Sequence, residues 1–453
     1  MSPTPDNDHP LVHARRRGGL SQQMLADRIR EAGHRARINV ATTKKTVSCW
    51  EHGRAPDGVT QRLIAVVFDV DEEARQATPW PYWLPGPDLP ELYRPWTAVG
   101  TVAVLDDVLR SGRMDRRKFI IVSGVTLTAL LHDWLTANPD IAHATARGGR
   151  RVSASMVDRI EARISELQRD DDAYGGGDLI TEAEAHLSLV HQLLAHSSYT
   201  SAQGARLHAQ AADLARMCGW MAFDAGRHAT AQRYFNAALR AARTSGDVLL
   251  CANVFAFAAV QHYSVGNPHD ADTMIRTAQV AVRGQSTPVV DAMLSARQAR
   301  ALAKAGDARA CYRALNQAVD HLAAGHRDND PAWAYWVEQP EIDMLTGSCL
   351  LDLGRPRDAQ VKFTEAHASY GDGYTRTRAL YLSRMATAHY QQGDLDGACQ
   401  TGMQALDLLD TLNSPRSNDH VRDLAAAMNH HGAVSVVREF RDRVAEAVSP
   451  FQR

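Results

Sequence analysis

The sequence predicts an all-α protein: a small N-terminal helical module, a helical and Pro/Trp-rich linker, and a long array of paired helices. Two observations carry the prediction. The first is a spacing repeated five times between Trp220 and Ala405. Gly226, Gly266, Gly306, Gly354 and Gly393 are each followed five residues later by a small residue (Ala231, Ala271, Cys311, Ala359, Ala398). Twelve residues after each glycine stands an alanine (Ala238, Ala278, Ala318, Ala366, Ala405), and seven before it another small residue (Gly219, Ala259, Ala299, Gly347, Ala386). The glycine-to-glycine steps are 40, 40, 48 and 39 residues, a period in the solenoid range. The second observation is a pair of short amphipathic helix patterns between Leu20 and Trp50, each with its own start signal.

The repeat has a plain physical reading. Two antiparallel helices approach closely only where side chains are small, and a glycine supplies the tight turn between them. These offsets resemble the tetratricopeptide repeat (TPR), and steps longer than its usual spacing imply longer helices or loops. An ordinary helical bundle with alanine-rich seams is the other reading of the same residues.

At 453 residues the chain has material for two or three domains, and 45% hydrophobic with 23% charged residues is an ordinary globular balance. The net charge of −2 excludes a polycation. Charge is nevertheless uneven: between Leu11 and Pro56, ten Lys/Arg face only Asp27, Glu31 and Glu51. Two of the five lysines of the chain, Lys44 and Lys45, are adjacent there. The six cysteines lie far apart without a CxxC pair, which reads as small core residues of a reducing compartment. With no apolar segment at its start, the chain is expected to be cytoplasmic.

In the N-terminal module, GLSQQMLADRI starts with Ser21 as a candidate cap and places Leu25, Ala26 and Ile29 on one face. In TTKKTVSCWEHGRAP, Thr43 can cap a second helix whose Val47 and Trp50 face inward, with Gly53 and Pro56 ending it. Lys44, Lys45, Ser48 and Cys49 then project outward, which is what reading a major groove requires. Leu63, Ile64, Val67 and Phe68 predict a further short helix closing the domain. The segments LSQQMLA and TVSCWEHG resemble the helix-turn-helix (HTH) of phage repressors and Cro, the XRE-like family. The resemblance implies binding to double-stranded DNA, with Gln22 meeting a phosphate and Thr43, Lys44, Lys45, Ser48 and Cys49 in base-facing or backbone-facing slots. It departs from the family where residues 31–42 intervene between the helices; Arg35 and Arg37 in that insert can add phosphate contacts or stay solvated. A small helical protein-interaction domain is the competing reading.

Prolines at the density of residues 79–96 exclude a helix. Trp80, Tyr82, Trp83 and Trp96 predict that the segment packs on a neighbouring domain. Residues 114–131, MDRRKFIIVSGVTLTALL, look like a twin-arginine export signal, yet they begin over a hundred residues into the chain. Their apolar run of about 13 residues falls short of the roughly 20 that cross a bilayer, so a buried connecting helix is expected. ARGGRR (146–151) and YGGGD (174–178) read as flexible breaks. The domains are accordingly expected at 1–75, 76–150 and 151–453. Together with GWMAFDAGRHATAQRYFNAAL, these segments resemble a large group of actinobacterial transcriptional regulators. That resemblance implies a DNA-binding regulator.

In a TPR array the first helix of each repeat lines the concave face. Residues thirteen, ten, six, three and two before each turn glycine are expected on it. They include Asp213, Arg216, Trp220, Phe223, Asn253, Tyr263, Arg300, Lys304, Glu341, Ser348, Tyr390 and Gln391. Arginines and amides beside aromatics suit a peptide, small-molecule or protein effector; a solvated groove is the bland alternative. The WAYW cluster (333–336) is expected in the core rather than flooring a pocket. No HExxH, GxxxxGK[ST], GxSxG or strand-borne GxGxxG occurs, and the twenty histidines form no metal face. No enzyme, cofactor, metal or membrane association is therefore expected. The expected function is effector-controlled transcriptional regulation by a homodimer, the alternative being a TPR scaffold whose HTH does not read DNA.

Overall fold

Small side chains at fixed offsets from a glycine should pair helices, and the computed structural model of the chain pairs them. The structure describes residues 10–17, 19–51, 53–68, 70, 72–77, 80–81, 83–84, 94–111, 122, 124–137, 151–177, 179–369, 375–410 and 415–447. Among these the regular secondary structure is helical, with one isolated β-bridge between Arg151 and Ser198. The protein is all-α. It divides into two compact units, Met1–Trp96 with Arg110–Ala137, and Thr97–Leu109 with Asn138–Arg453.

The first unit begins with α1 (Pro10–Arg17), α2 (Gln22–Arg35), α3 (Lys44–Glu51), α4 (Gly58–Val67) and α5 (Glu72–Ala77). Three of these starts have a side-chain cap: Ser21 accepts from the Met24 amide at 3.1 Å, Thr43 from Thr46 at 3.2 Å, and Asp57 from Thr60 at 2.8 Å. That last hydrogen bond holds the Asp57 carboxyl below its ordinary range. Leu11, Leu25, Ile29, Val47, Trp50, Leu63 and Ile64 form the core, joined by Trp83 and Leu84 from the Pro/Trp segment. Residues 79, 82 and 85–93 of that segment lie outside the described residues.

The insert between α2 and α3 is shorter than its sequence suggests. α2 absorbs Glu31–Arg35, so that only residues 36–43 connect the helices. The chain turns at Arg37, whose φ of 57° is left-handed, and the Ile38 amide returns to the Gly33 carbonyl at 2.8 Å. A Cβ on Gly33 would meet the Ile38 oxygen at 2.8 Å, so the site requires glycine.

α6 (Ala98–Ser111) lies mainly in the second unit, where its Thr101 hydroxyl meets that of Thr244 at 2.9 Å in the buried interior. α7 (Gly124–Thr136) belongs to the first unit and buries Leu127, Leu131 and Trp134. Residues 114–121 and 123 of the RRKF segment, and 146–150 of ARGGRR, lie outside the described residues.

The second unit continues as helical hairpins: α8 (Ala154–Tyr174) with α9 (Leu179–His196), α10 (Ser201–Asp224) with α11 (His228–Ser245), and α12 (Val248–Val265) with α13 (Pro268–Ala281). There follow α14 (Pro288–Lys304) with α15 (Ala308–Ala323), α16 (Gln339–Asp352) with α17 (Pro356–Ser369), α18 (Thr375–Gln391) with α19 (Leu395–Leu409), and α20 (Pro415–Ala427) with α21 (Ser435–Ala447). This is a TPR-like array. All fifteen small positions of the five-fold spacing are buried, most at 0% exposure. Four turn glycines, Gly226, Gly306, Gly354 and Gly393, have φ between 70° and 81°. Gly266 does not (φ −123°), because its turn continues into an Asn267 cap and a Pro268 helix start.

One sequence expectation differs from the structure. YGGGD is no flexible break at its described residues: Gly175 ends α8, and a Cβ on Gly176 would lie 2.4 Å from Met221. α8 packs on α18, where Arg376 reaches Asp171 at 2.9 Å and Asp172 at 3.3 Å, so the hairpins return upon themselves. Among the described residues one helix, α12, is long and apolar enough to cross a membrane, and 72% of it is buried in the array.

Candidate functional site

Two places gather the residues that sequence reasoning singles out, and each lies within one unit. In the first unit, α3 is clamped by Val47 and Trp50 at 0% and 5% exposure, which turns its other side to solvent. Thr43, Lys44, Lys45 and Cys49 are exposed and Ser48 is half-buried. Gln22 donates its side-chain amide to Glu51 at the end of α3. Glu51 also pairs with Arg15 of α1 at 2.6 Å, with only 5% and 11% of the two side chains exposed. One carboxylate thus ties α1, α2 and α3 together. Arg35 pairs with Glu31 at 2.5 Å in the open, and Arg37 is exposed at the left-handed turn.

In the second unit the array bounds a partly open cavity of about 170 Å³, more than ten times the space of about 10–15 Å³ that one water needs. Arg216, Trp220, Asn253, Tyr263 and Arg300 line it, as do Glu341 and Ser348. Lys304 does not: it pairs with Asp352 at 3.0 Å outside the lining. The expectation that the WAYW cluster is core is corrected. A 3₁₀ turn at Ala332–Ala334 gives the buried places to Ala334 and Val337, leaving Trp333 and Trp336 half-buried and Tyr335 exposed on the cavity wall.

The cavity also holds residues outside the expected set. Nine residues before each turn glycine stand Met217, Phe257, Arg297, Leu345 and Arg384, and all five line the wall. The signal is present in the sequence: offsets of −13, −9, −6 and −2 make one helical face, whereas the expected set includes −10 and −3.

Five arginines dominate the electrostatics, and four of them lie over aromatic rings. Arg216 sits 4.5 Å from the Phe257 centroid, Arg297 5.3 Å from Trp336, Arg376 5.4 Å from Trp220 and Arg300 5.6 Å from Tyr263. Each contact is favourable and strengthens as water is excluded. Carboxylates neutralise three of the cations closely: Asp213 on Arg216 at 2.6 Å, Asp352 on Arg300 at 2.6 Å, and Asp171 on Arg376. Glu341 approaches Arg297 only to 3.8 Å. Arg384 has no ion pair among the described residues; burial and the neighbouring Arg300 charge press its guanidinium down to about 10. Burial pushes Asp171 up to about 6, against the pull of Arg376.

Several buried polar atoms on this wall have no hydrogen-bond partner among the described residues. They are Arg300 Nη2, Arg297 Nε, Arg384 Nε, Ser348 Oγ and Asn253 Oδ1. Arg300, Ser348 and Asn253 are each 1% exposed. Buried polar atoms are paired in most folds, so a cluster of them facing a cavity marks a place built to receive a polar group.

Comparison with known proteins adds little to this geometry. Residues 11–72 match the family described as the SP15 N-terminal domain. No curated protein matches the chain. Among solved structures it is similar to a Signal Transduction ATPase with Numerous Domains (STAND) protein with a tetratricopeptide repeat sensor from Pyrococcus horikoshii. That similarity spans 94% of this chain and 69% of the other, at 11% identity and a TM-score of 0.33.

Proposed function

We propose that the protein is a transcriptional regulator in which an XRE-like HTH in the first unit binds double-stranded DNA and the TPR-like array seats an effector. The observation that carries this reading is the start of α3. Thr43, Lys44, Lys45 and Cys49 stand exposed there while Val47 and Trp50 hold the opposite side in the core. A short helix so clamped can enter a major groove with its first turn against base edges and phosphates. A single such helix reads few base pairs, which favours a homodimer on a two-fold operator. The effector acts by preferring one of two arrangements of the protein; equal affinity for both shifts nothing. On this reading the protein is a cytoplasmic binding protein, and its cavity performs no chemistry.

The test is binding of the full chain to a labelled fragment from upstream of its own gene, read by gel shift and anisotropy. The expected result is retention that weakens as salt rises from about 50 to about 200 mM. Replacing Lys44 and Lys45 by alanine should weaken binding and lower the salt slope by about 0.9 for each phosphate that the variant no longer neutralises. Unchanged binding by the double variant removes α3 from the DNA interface.

A further inference from the structure

We propose that the cavity of the helical array is a site for a small organic anion. Its carboxylate or phosphate group lies at the Arg300–Arg384 end, and its planar body rests against Trp220, Phe257 and Trp336. The inference rests on the reading of the array as the effector-binding part of a regulator and names the chemistry of that effector.

Charge balance points to an anion. At this end three guanidinium groups, Arg297, Arg300 and Arg384, face two carboxylates, Glu341 and Asp352. Lys304 shares Asp352 as well, and Glu341 also accepts from the Tyr381 hydroxyl at 3.2 Å. A cation without a close counter-charge is costly as water is withdrawn, and Arg384, half-buried and with Asp352 beyond ion-pair distance, is such a cation among the described residues. At the other end of the cavity, Asp171 and Asp172 engage Arg376, so that end is already neutralised. An incoming anion is therefore directed to one place.

Hydrogen bonding points the same way. Arg300 is 1% exposed, spends Nη1 on Asp352 at 2.6 Å, and leaves Nη2 without a partner. Arg297 Nε and Arg384 Nε are likewise unsatisfied, and the Ser348 hydroxyl, 1% exposed, is a further unused donor. Planar guanidinium forks on one cavity wall match the oxygens of a carboxylate or phosphate, and charge-assisted bonds of this kind are the strong ones.

The rest of the wall describes the rest of the ligand. Trp220 and Phe257 meet edge to face at 5.1 Å between centroids, and Phe257 and Trp336 at 6.1 Å. Three rings in series offer an apolar surface beside the cationic end. A volume of about 170 Å³ is close to the roughly 150 Å³ that holds one benzene ring, and so fits a small molecule rather than a folded partner.

The experiment uses the full chain with four probes: phenyl phosphate, phenylacetate, the neutral phenylacetamide, and inorganic phosphate. Binding is read by calorimetry and by tryptophan fluorescence, since Trp220, Trp333 and Trp336 line the cavity. The expected result is one-to-one binding of an aryl anion with quenched fluorescence, competition by inorganic phosphate if the phosphoryl probe is the tighter, and clearly weaker binding of the amide. The tighter of the two aryl anions tells whether the group received is a phosphate or a carboxylate. Arg384→Gln should weaken that binding by about tenfold to a hundredfold, the value of a hydrogen bond to a charged group. The melting temperature of the same variant without probe should hold or rise, because a half-buried cation without an ion pair is gone. Ser348→Ala gives a second, milder loss if Arg384→Gln fails to fold. Equal binding of amide and anions, no binding of either anion, or unchanged affinity in both variants overturns the inference. Because the readout involves no DNA, anion binding without retention of the promoter fragment defeats only the regulatory reading. Retention without anion binding defeats only this one.

Discussion

Phe235 of α11 occupies the space beside Gly219 of α10 where any other residue would carry its side chain: a Cβ there would lie 2.8 Å from the ring. The same relation recurs between Gly347 and Phe363, at 2.7 Å. Both pairs join the position seven before a turn glycine to the position nine after it. Where the first is alanine, the second is smaller than phenylalanine: Ala259 with Ile275, Ala299 with Leu315, Ala386 with Gly402. The volume absent at Gly402 is taken up by Phe440 of α21, 2.6 Å from where its Cβ would be. Each hairpin divides a similar volume differently between its two helices.

Gly219→Ala should therefore destabilise the protein by about 1–3 kcal/mol, the cost of overpacking a filled core. Gly219→Ala with Phe235→Leu should recover much of the loss, because the pair then matches Ala299 and Leu315. Urea denaturation of both variants checks this; a double variant no better than the single one would show that the two positions do not trade volume.

Glu51 neutralises Arg15 and accepts from Gln22 inside the first unit. Glu51→Gln leaves the Arg15 charge largely buried without a counter-ion, and such losses cost about 3–5 kcal/mol. The expected outcome is an earlier unfolding transition in the first unit, followed by the fluorescence of Trp50. An unshifted transition would mean that the three helices hold together without this carboxylate.

Cys49 is exposed, whereas Cys218, Cys251, Cys311, Cys349 and Cys399 are buried. A maleimide should label Cys49 at once in the native protein and the other five only on unfolding, as intact mass against time will show. On the proposed function, the bulky adduct on α3 should abolish retention of the promoter fragment, and Cys49→Ser should protect against that loss.

His208 and His262, 2% and 3% exposed, are pushed down from 6.5 to about 4 by burial. Between those values the unfolded chain binds protons that the folded chain refuses, so their contribution to stability is lost as pH falls from about 6.5 towards 4. Each is worth at most on the order of 3 kcal/mol. Asp171 has the opposite sign: its raised value favours the folded state as pH falls from about 6 towards 3.8. Two histidines outweigh one aspartate, and melting at pH 7 should exceed melting at pH 5. His262→Gln should narrow the difference; a variant with the same difference would remove this histidine as a cause.

Much of the architecture is legible without coordinates because close helix packing is a local rule. The fifteen small positions, Ser21 and Thr43 as caps, and Val47 with Trp50 on the inner face all follow from spacing and side-chain chemistry. α1 is not legible, since PLVHARRR shows only half a helical face before its arginines begin. The cavity is half legible. Arg216, Trp220, Asn253, Tyr263 and Arg300 follow from the turn glycines, but a stripe through −10 departs from the helical face, which runs through −9. Arg297 and Arg384 fall outside such a stripe. The meeting of Arg376 with Asp171 has no local trace at all, because it joins residues some two hundred positions apart and depends on the summed curvature of every hairpin between them.

That meeting changes the mechanics of the array. In a solenoid with two free ends, a bend imposed on one hairpin fades along the stack and is released into solvent. Here a guanidinium on α18 is fastened to carboxylates on α8, so a displacement anywhere along the circuit comes back to where it started. The hairpins between them must yield in concert or not at all.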